Sequence, residues 1–366
     1  MVDPIRVLHV FGALNVGGAE SRTMDIYRNI DRTKIQFDFA IHTNNHCYFT
    51  DEILSMGGKI FSFPRFVGSN YKAYKLEWRK FFEQHPEYKI IHGHQTSTGF
   101  IYLKEAKRHS IPVRISHSRN SNKDNIIKRY TSKLSRLYST HQFAVSKLAG
   151  ISEFGKKAVD SGKVFVIPNA IDTRKYLYDG DKRNRTRFEL GLQDYFVVGH
   201  IGRFHPQKNH RFLLEIFKCI KEKKEKSKLV LVGDGPLRCQ IESQIQKLGI
   251  ENSVLLLGIR SDVPDILQAM DVLVFPSLYE GLPGVVLEAQ ASGLPCIVSD
   301  TVTEEVGITN LVKYLSLKRE PYYWANVILQ APVVSDRLKY NHIVESKFGI
   351  ERIARWYENF YLESIK

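Results

Sequence analysis

Asp271-Val272-Leu273-Val274-Phe275-Pro276-Ser277-Leu278-Tyr279-Glu280-Gly281-Leu282-Pro283-Gly284-Val285-Val286-Leu287-Glu288-Ala289 holds three kinds of local structure in one run. Val272–Phe275 is continuously apolar, as a strand buried on both faces must be. Pro276 ends it and a Gly/Pro loop follows. A helix is expected from about Pro283, because proline suits the first helical turn. The free N–H groups at such a helix start can hold an anion. Glu280 falls in the loop and Glu288 in the helix, with seven residues between them. A capped helix with a surface glutamate at each end is the plainer reading of this pair. The strand-loop-helix context weighs against it.

The same alternation runs outward through all 366 residues. In the first half the strand candidates are Arg6–Phe11, Phe37–His42, Lys59–Phe63, Lys89–His92, Val113–His117, Gln142–Ser146 and Val164–Pro168. In the second half they are Phe196–Ile201, Leu229–Gly233, Val254–Gly258, Val272–Pro276, Cys296–Ser299 and Lys313–Leu317. Strands alternating with helices predict βαβ units and parallel sheets. Two such series predict two Rossmann-like, doubly wound α/β domains, residues 1–172 and 173–345. Residues 346–366 read as a final helix returning to the first domain. Ligands in such folds bind beyond the carboxyl ends of strands, so the residues after each strand are where chemistry is sought.

Composition narrows the class. Hydrophobic residues make up 43% and charged residues 25%, a globular balance. No apolar run approaches the roughly 18 residues of a membrane span. Met1–Arg6 lacks a signal-peptide layout, and a cytoplasmic chain is expected. Cys47, Cys219, Cys239 and Cys296 are scattered, with no C-x-x-C pair, which argues against a disulfide framework or zinc site. Residues 101–170 hold 14 Lys and Arg against 4 Asp and Glu, so most of the net +14 sits there. Such a field implies an anionic partner: membrane lipid, a phosphorylated acceptor or nucleic acid. No nucleic-acid motif accompanies it, and no nucleic acid is expected.

After Phe196–Ile201 comes Gly202-Arg203-Phe204-His205-Pro206-Gln207-Lys208-Asn209. Glycine allows a close backbone approach. Arginine forks onto phosphate oxygens and lysine adds a compact charge, so the pair suits a diphosphate. With Arg203 and Lys208 beside them, one of Glu280 and Glu288 can face a sugar and the other a ribose diol.

Together these segments resemble glycosyltransferase family 4, the retaining GT-B group, in the subset found in bacterial capsular and exopolysaccharide clusters. Gly202–Asn209 resembles its phosphate loop, and Glu280 and Glu288 its E-x₇-E signature. Val232-Gly233-Asp234-Gly235-Pro236, Phe275-Pro276-Ser277 and Ser292-Gly293-Leu294-Pro295 match in order. Val16-Gly17-Gly18-Ala19-Glu20 resembles its glycine loop and Val166–Asp172 its hinge entry. Thr303–Asn310 is shorter and less typical than the glycine-rich stretch that often follows. The resemblance implies a GT-B fold, two domains facing each other across a cleft, closing about Asn169–Thr173. It implies a hexosyltransferase that retains configuration, taking a nucleotide sugar, a UDP-sugar by preference, to a lipid-linked or glycan acceptor. Arg203 and Lys208 should then neutralise the leaving diphosphate, Glu280 hold the sugar and Glu288 the ribose. Gly281, Leu282, Pro283, Gly284 and Val285 should touch sugar and phosphate through their backbone. Gly202, Gly17 and Gly18 should allow close approach, and Ile259 and Arg260 should lie near the base. No cofactor or metal ion is expected, since the nucleotide sugar is a substrate.

Two first-half strands end in histidine, at Ile90-Ile91-His92-Gly93-His94 and Ile115-Ser116-His117-Ser118-Arg119. His117 matches the family's active-site histidine and should contact the donor sugar. His94 and Arg119 are acceptor-side candidates. Each histidine also fits a plain hydrogen-bonded role, and no carboxylate or cysteine joins them at metal-ligand spacing. Asp179-Gly180-Asp181 is D-x-D-like, but it lies in the connection between domains and reads as a turn. Residues 122–139 read as a helix with Ile126, Ile127, Tyr130, Leu134, Leu137 and Tyr138 on one face and Lys123, Lys128, Arg129, Lys133 and Arg136 mostly elsewhere. It is either a core helix with a basic face or an interfacial helix on anionic lipid at the inner face of the cell membrane. A non-catalytic partner subunit and a sugar-nucleotide epimerase are the alternative functions on this scaffold.

Overall fold

The computed structural model describes residues 3–119 and 126–365, with backbone alone for 126–129. The chain forms two compact units: Met1–Ala170 with Ile350–Lys366, and Ile171–Gly349. Each is built on one wholly parallel sheet.

The first unit's strands are β1 Ile5–Phe11, β2 Ile35–Ile41, β3 Ile60–Ser62, β4 Ile90–Gly93, β5 Val113–Ser118, β6 His141–Ala144 and β7 Val164–Val166. Their order across the sheet is β3-β2-β1-β4-β5-β6-β7. The second unit holds β8 Phe196–Ile201, β9 Ser227–Val232, β10 Val254–Gly258, β11 Val272–Phe275, β12 Cys296–Ser299 and β13 Val312–Leu315, in the order β10-β9-β8-β11-β12-β13. Chain order reverses once in each sheet, beside β1 and β4 and beside β8 and β11. There the loops leaving adjacent strands diverge to opposite faces and open a crevice at the carboxyl ends. All thirteen strand candidates fold as strands, three with the expected ends and the rest within two residues of them.

Apolar residues on both faces of these strands bury the sheets. One face of the first sheet packs Phe37, Phe39, Ile90, Ile115 and Phe143 against the helix Ile350–Glu363. That helix places Ile350, Ile353, Ala354, Tyr357 and Tyr361 inward, the 3.6-residue spacing of a core-facing stripe. The other face buries an aromatic cluster about Trp78, Tyr74 and Tyr102.

Asp179-Gly180-Asp181 is a helix start, not a turn. The Asp179 carboxylate accepts from the N–H groups of Asp181 and Lys182 and caps the helix Gly180–Glu189. The helix Ile126–Tyr138 also differs from expectation. Ser135 and Ser132 face inward, and Ser135 approaches Gly99 of the neighbouring helix, where a Cβ would meet its Oγ at 2.9 Å. Two residues of the apolar stripe point outward, Tyr130 at 63% exposed and Leu137 at 68%, while Leu134 and Tyr138 are half-buried. Arg136 is turned into the unit and donates to the Phe154 carbonyl at 2.7 Å. Lys123 and the side chains of Ile126, Ile127, Lys128 and Arg129 lie outside the described residues. No described helix is long and apolar enough to cross a membrane.

The most demanding polar contact of the first sheet is at Asp38, wholly buried on β2. It accepts from Arg6 Nε at 2.5 Å and Nη2 at 2.6 Å, Tyr88 Oη at 2.7 Å and the Lys59 N–H at 2.6 Å. Removing one partner of a buried pair leaves the other desolvated and uncompensated. Asp38→Ala is therefore expected to cost about 3–5 kcal/mol of unfolding free energy in urea titration. Arg6→Ala/Asp38→Ala should cost less than the two single losses added.

Candidate functional site

In the second unit, two loops meet beyond β8 and β11. After β8 the chain turns through Gly202 and a short 3₁₀ segment, Pro206–Lys208, and Asn209 takes a left-handed conformation at φ 54°. The loop after β11 is tied to it at three points. The Leu278 N–H donates to Gln207 O at 2.8 Å, Gln207 Nε2 to Tyr279 O at 2.9 Å and Asn209 Nδ2 to Pro276 O at 3.2 Å. This stitching brings Lys208 Nζ to 2.7 Å from Glu280 Oε1 and sets the ammonium over the Phe275 ring at 4.5 Å. Their side chains are only 16% and 10% exposed, so the pair is screened little by water.

Glycines make the approach possible. A Cβ on Gly233, held at φ 134°, would stand 2.2 Å from Gly202 O, and one on Gly235 would stand 2.6 Å from Phe204 O. The Val232–Pro236 loop thus packs directly on the backbone of the Gly202–Asn209 loop. Arg203 is exposed, and Gly202 just before it lies against the Lys208 side chain, where a Cβ would meet Cε at 3.1 Å. Among the described residues no carboxylate comes within ion-pair distance of Arg203. Gly281, Leu282 and Pro283 are buried and lead into the helix Gly284–Ala291, which carries Glu288, 6% exposed, on its second turn. Pro283 is the helix cap, with Gly284 and Val285 opening the first turn. Ile259 is 62% exposed after β10. Arg260 is held by Asp262 in a two-bond fork at 2.7 and 2.6 Å, which raises its pKa.

In the first unit, Gly17 caps the helix Gly18–Asn29 and Gly18 is exposed. Beside them lies a histidine ladder. Parallel pairing puts His9 of β1 in register with His92 of β4. His94 lies two residues beyond His92, and His117 projects from the neighbouring β5. His9 was not among the sequence candidates, because it looks like an ordinary strand residue. Only the register of β1 against β4 reveals it. Tyr361 was missed for the same reason: it arrives from 244 positions beyond His117 in the chain.

Hydrogen bonds order the ladder. Arg119 donates from Nε to His94 Nδ1 at 3.3 Å, so His94 carries its proton on Nε2 and passes it to His9 Nδ1 at 3.0 Å. His9 is then protonated on Nε2, which has no partner among the described residues. His92 lies between the Tyr361 hydroxyl at 2.7 Å and His117 Nδ1 at 2.8 Å. His117 is wholly buried and its Nε2 is unpartnered. Arg119 completes its contacts on neutral groups, Asn169 Oδ1 at 3.0 Å and Thr23 Oγ1 at 3.3 Å. Burial holds all four imidazoles well below their usual pKa, and the Arg119 charge pushes the same way.

His9, His92 and His94 are close enough to suggest a metal site, but their rings are stacked. Centroids are 4.4–5.3 Å apart and interplanar angles 13–26°. Ring-nitrogen lone pairs lie in the ring plane, so here they run in nearly parallel layers and do not converge on one ion.

The ladder has a consequence for acid stability. An unfolded imidazole titrates near 6.5, and the folded ones far lower. The stability this gives the folded state is fully present above pH 6.5 and is lost as pH falls below it, because unfolding then takes up protons. Each buried imidazole can contribute up to about 1.4 kcal/mol per pH unit. Urea titrations at a series of pH values below 6.5 should show this slope, reduced by about one proton in His92→Gln.

Residues 195–330 match the family model described as Glycosyl transferases group 1. The chain is 38% identical over 336 residues to the putative glycosyltransferase EpsF of Bacillus subtilis, covering 89% of this chain and 87% of EpsF. It is 36% identical over 228 residues to the Escherichia coli UDP-Gal:alpha-D-GlcNAc-diphosphoundecaprenol alpha-1,3-galactosyltransferase, covering 58% of each. Among solved structures, Anabaena Alr3699/HepE in complex with UDP and glucose superposes with a TM-score of 0.81 at 20% identity, over 98% of this chain and 99% of that one.

Proposed function

Because the chain belongs to the group 1 glycosyltransferases, with relatives in polysaccharide biosynthesis, we propose that it transfers a hexose from a UDP-sugar to a lipid-linked or glycan acceptor with retention of configuration. The observation that carries this reading is the Lys208–Glu280 pair, 2.7 Å apart beside the exposed Arg203, at the strand-order reversal of the second sheet. One side of that constellation suits a diphosphate and the other the hydroxyls of a sugar. Glu288, one helix further on, is assigned the ribose. The similarity to an enzyme named for UDP-Gal and a diphosphoundecaprenol-linked sugar supports the donor and the lipid-linked acceptor.

In the proposed reaction the bond from the anomeric carbon to the donor phosphate oxygen breaks as the acceptor hydroxyl attacks from the same face. The leaving diphosphate takes up the charge and accepts the acceptor's proton. Arg203 and Lys208 stabilise that charge as it forms, so catalysis rests on positioning and electrostatics. The two cations do the work a divalent ion would otherwise do, and the reaction is proposed to be metal-independent. Glu280 orients Lys208 through their 2.7 Å contact and is assigned the donor sugar. In the first unit His117 is assigned to the donor sugar, and His94 and Arg119 to the acceptor.

Arg203→Ala and Lys208→Ala should each lose about 2–4 kcal/mol of transition-state stabilisation, read as kcat/KM for nucleoside diphosphate release from a panel of nucleotide sugars. Turnover should survive EDTA. Unchanged turnover in both variants would remove the donor-site assignment.

Peripheral docking on the inner face of the membrane belongs to the same proposal. On the helix Ile126–Tyr138, Tyr130, Lys133 and Leu137 are exposed together at helical spacing. Aromatic and leucine side chains beside a lysine suit the headgroup region. A basic residue there adds about 1 kcal/mol. Co-sedimentation should require anionic vesicles and weaken with salt. Tyr130→Ser/Lys133→Ser/Leu137→Ser should stay in the supernatant while binding UDP as well as the parent. Equal sedimentation of parent and variant would sink this part.

A further inference from the structure

The donor loops occupy the carboxyl ends of the second sheet. At its opposite end, by the starts of β8, β11 and β12, the second unit has a half-open cavity of about 490 Å³. That volume lies within the range of small-molecule sites. Arg183, Arg187, Arg337 and Lys224 line it, against two carboxylates, Asp271 and Asp194.

The arginines have a structural task that accounts for part of this cluster. Arg183 Nη1 donates to Gln268 O at 2.6 Å and Met270 O at 2.8 Å, and Arg187 Nη1 donates to Ala269 O at 2.8 Å. These are orphan carbonyls at the end of the helix Val263–Ala269. Asp271 lies against both, at 2.5 Å from Arg183 and 3.4 Å from Arg187, and its single charge offsets one of the two.

Arg337 remains. It is 8% exposed, stacks on Tyr178 at 4.5 Å and donates from Nε to Ser292 O at 2.8 Å and from Nη1 to Gln268 O at 3.5 Å. Its Nη2 is buried and has no partner among the described residues, and none of these places a carboxylate in ion-pair range. Burial, and then the nearby Arg183, pull its pKa down to about 10. Capping a helix end needs neither a second unneutralised guanidinium nor the lysine at the rim. A buried charge without a counterion is costly, and an anion in the cavity would relieve it.

We propose that this cavity binds a small phosphate-bearing anion, held chiefly by the uncompensated charge of Arg337. Guanidinium charge draws phosphate oxygens, the lining carries four cations against two carboxylates, and Lys224 adds charge at the mouth. The ligand would join the helix Gly180–Glu189 to the segment 331–337, both of which wall the cavity. Binding should therefore raise the melting temperature.

The test uses inorganic phosphate, with chloride balancing ionic strength, followed by calorimetry and thermal unfolding of the full chain. Arg203→Ala/Lys208→Ala serves as background, so that the donor loops do not contribute. Phosphate should still bind there and raise the melting temperature. Arg337→Gln should then weaken binding at least tenfold. Lys224→Glu reverses an exposed charge, leaves the buried arginines in place and should weaken it severalfold. It decides the matter if Arg337→Gln does not fold. Loss of all phosphate binding in the background would assign it to the donor loops and overturn the proposal. Unchanged affinity in the cavity variants would overturn it equally.

Discussion

Lys208 and Glu280 stand 72 positions apart in the chain and 2.7 Å apart in the fold. Two charges drawn largely out of water repay their desolvation only when geometry is close and fixed. Here the loops after β8 and β11 are sewn together through backbone groups, and Gly233 and Gly235 let a third loop rest on the first without a Cβ between them. Those loops meet because chain order reverses between β8 and β11. The strand pairing, the glycines and the stitched loops thus converge on one ion pair, with Arg203 next to it in the open.

The first unit meets a related constraint with neutral groups. Four imidazoles share one face, His9, His92 and His117 buried and His94 half-buried, and Arg119 adds a positive charge beside them. Protonating any of the four would place like charges a few ångströms apart in a poorly solvated region, so all stay neutral. Neutral imidazoles each hold one donor and one acceptor, and the ladder spends them in sequence, from Arg119 through His94 to His9 and from Tyr361 through His92 to His117. Tyr361 comes from the returning helix Ile350–Glu363, so the polar ladder and the apolar core of this unit close against the same element.

Much of this was legible in the sequence. Continuous apolar runs such as Val272–Phe275 announce strands buried on both faces, and glycine and proline after them announce loops. The sheet-end position of Arg203, Lys208, Glu280 and Glu288 follows from those runs alone. What escaped was information held between distant segments. His9 looks unremarkable until β1 is paired with β4, and Asp179 reads as a turn until its carboxylate is seen capping a helix. The apolar stripe of Ile126–Tyr138 has the right period for a core helix. The sequence did not show that Ser135 against Gly99 would let that helix pack through its small side instead.

Arginine illustrates how far residue type falls short of role. Arg6 is locked on Asp38 and holds a sheet together. Arg260 sits in the loop expected near the base, yet its fork is already filled by Asp262, so a ligand there must compete with a preformed pair. Arg183 and Arg187 cap a helix end. Arg119 rests on neutral partners, and Arg203 stands exposed with no carboxylate in ion-pair range among the described residues. In each case the partner sets what the guanidinium can still do. One satisfied by carboxylate or carbonyl oxygens is structure, whereas one that keeps unspent donors or uncompensated charge can still take an anion. The charge pattern along the chain located the basic region but could not make that distinction. The hydrogen-bond census of each fork makes it.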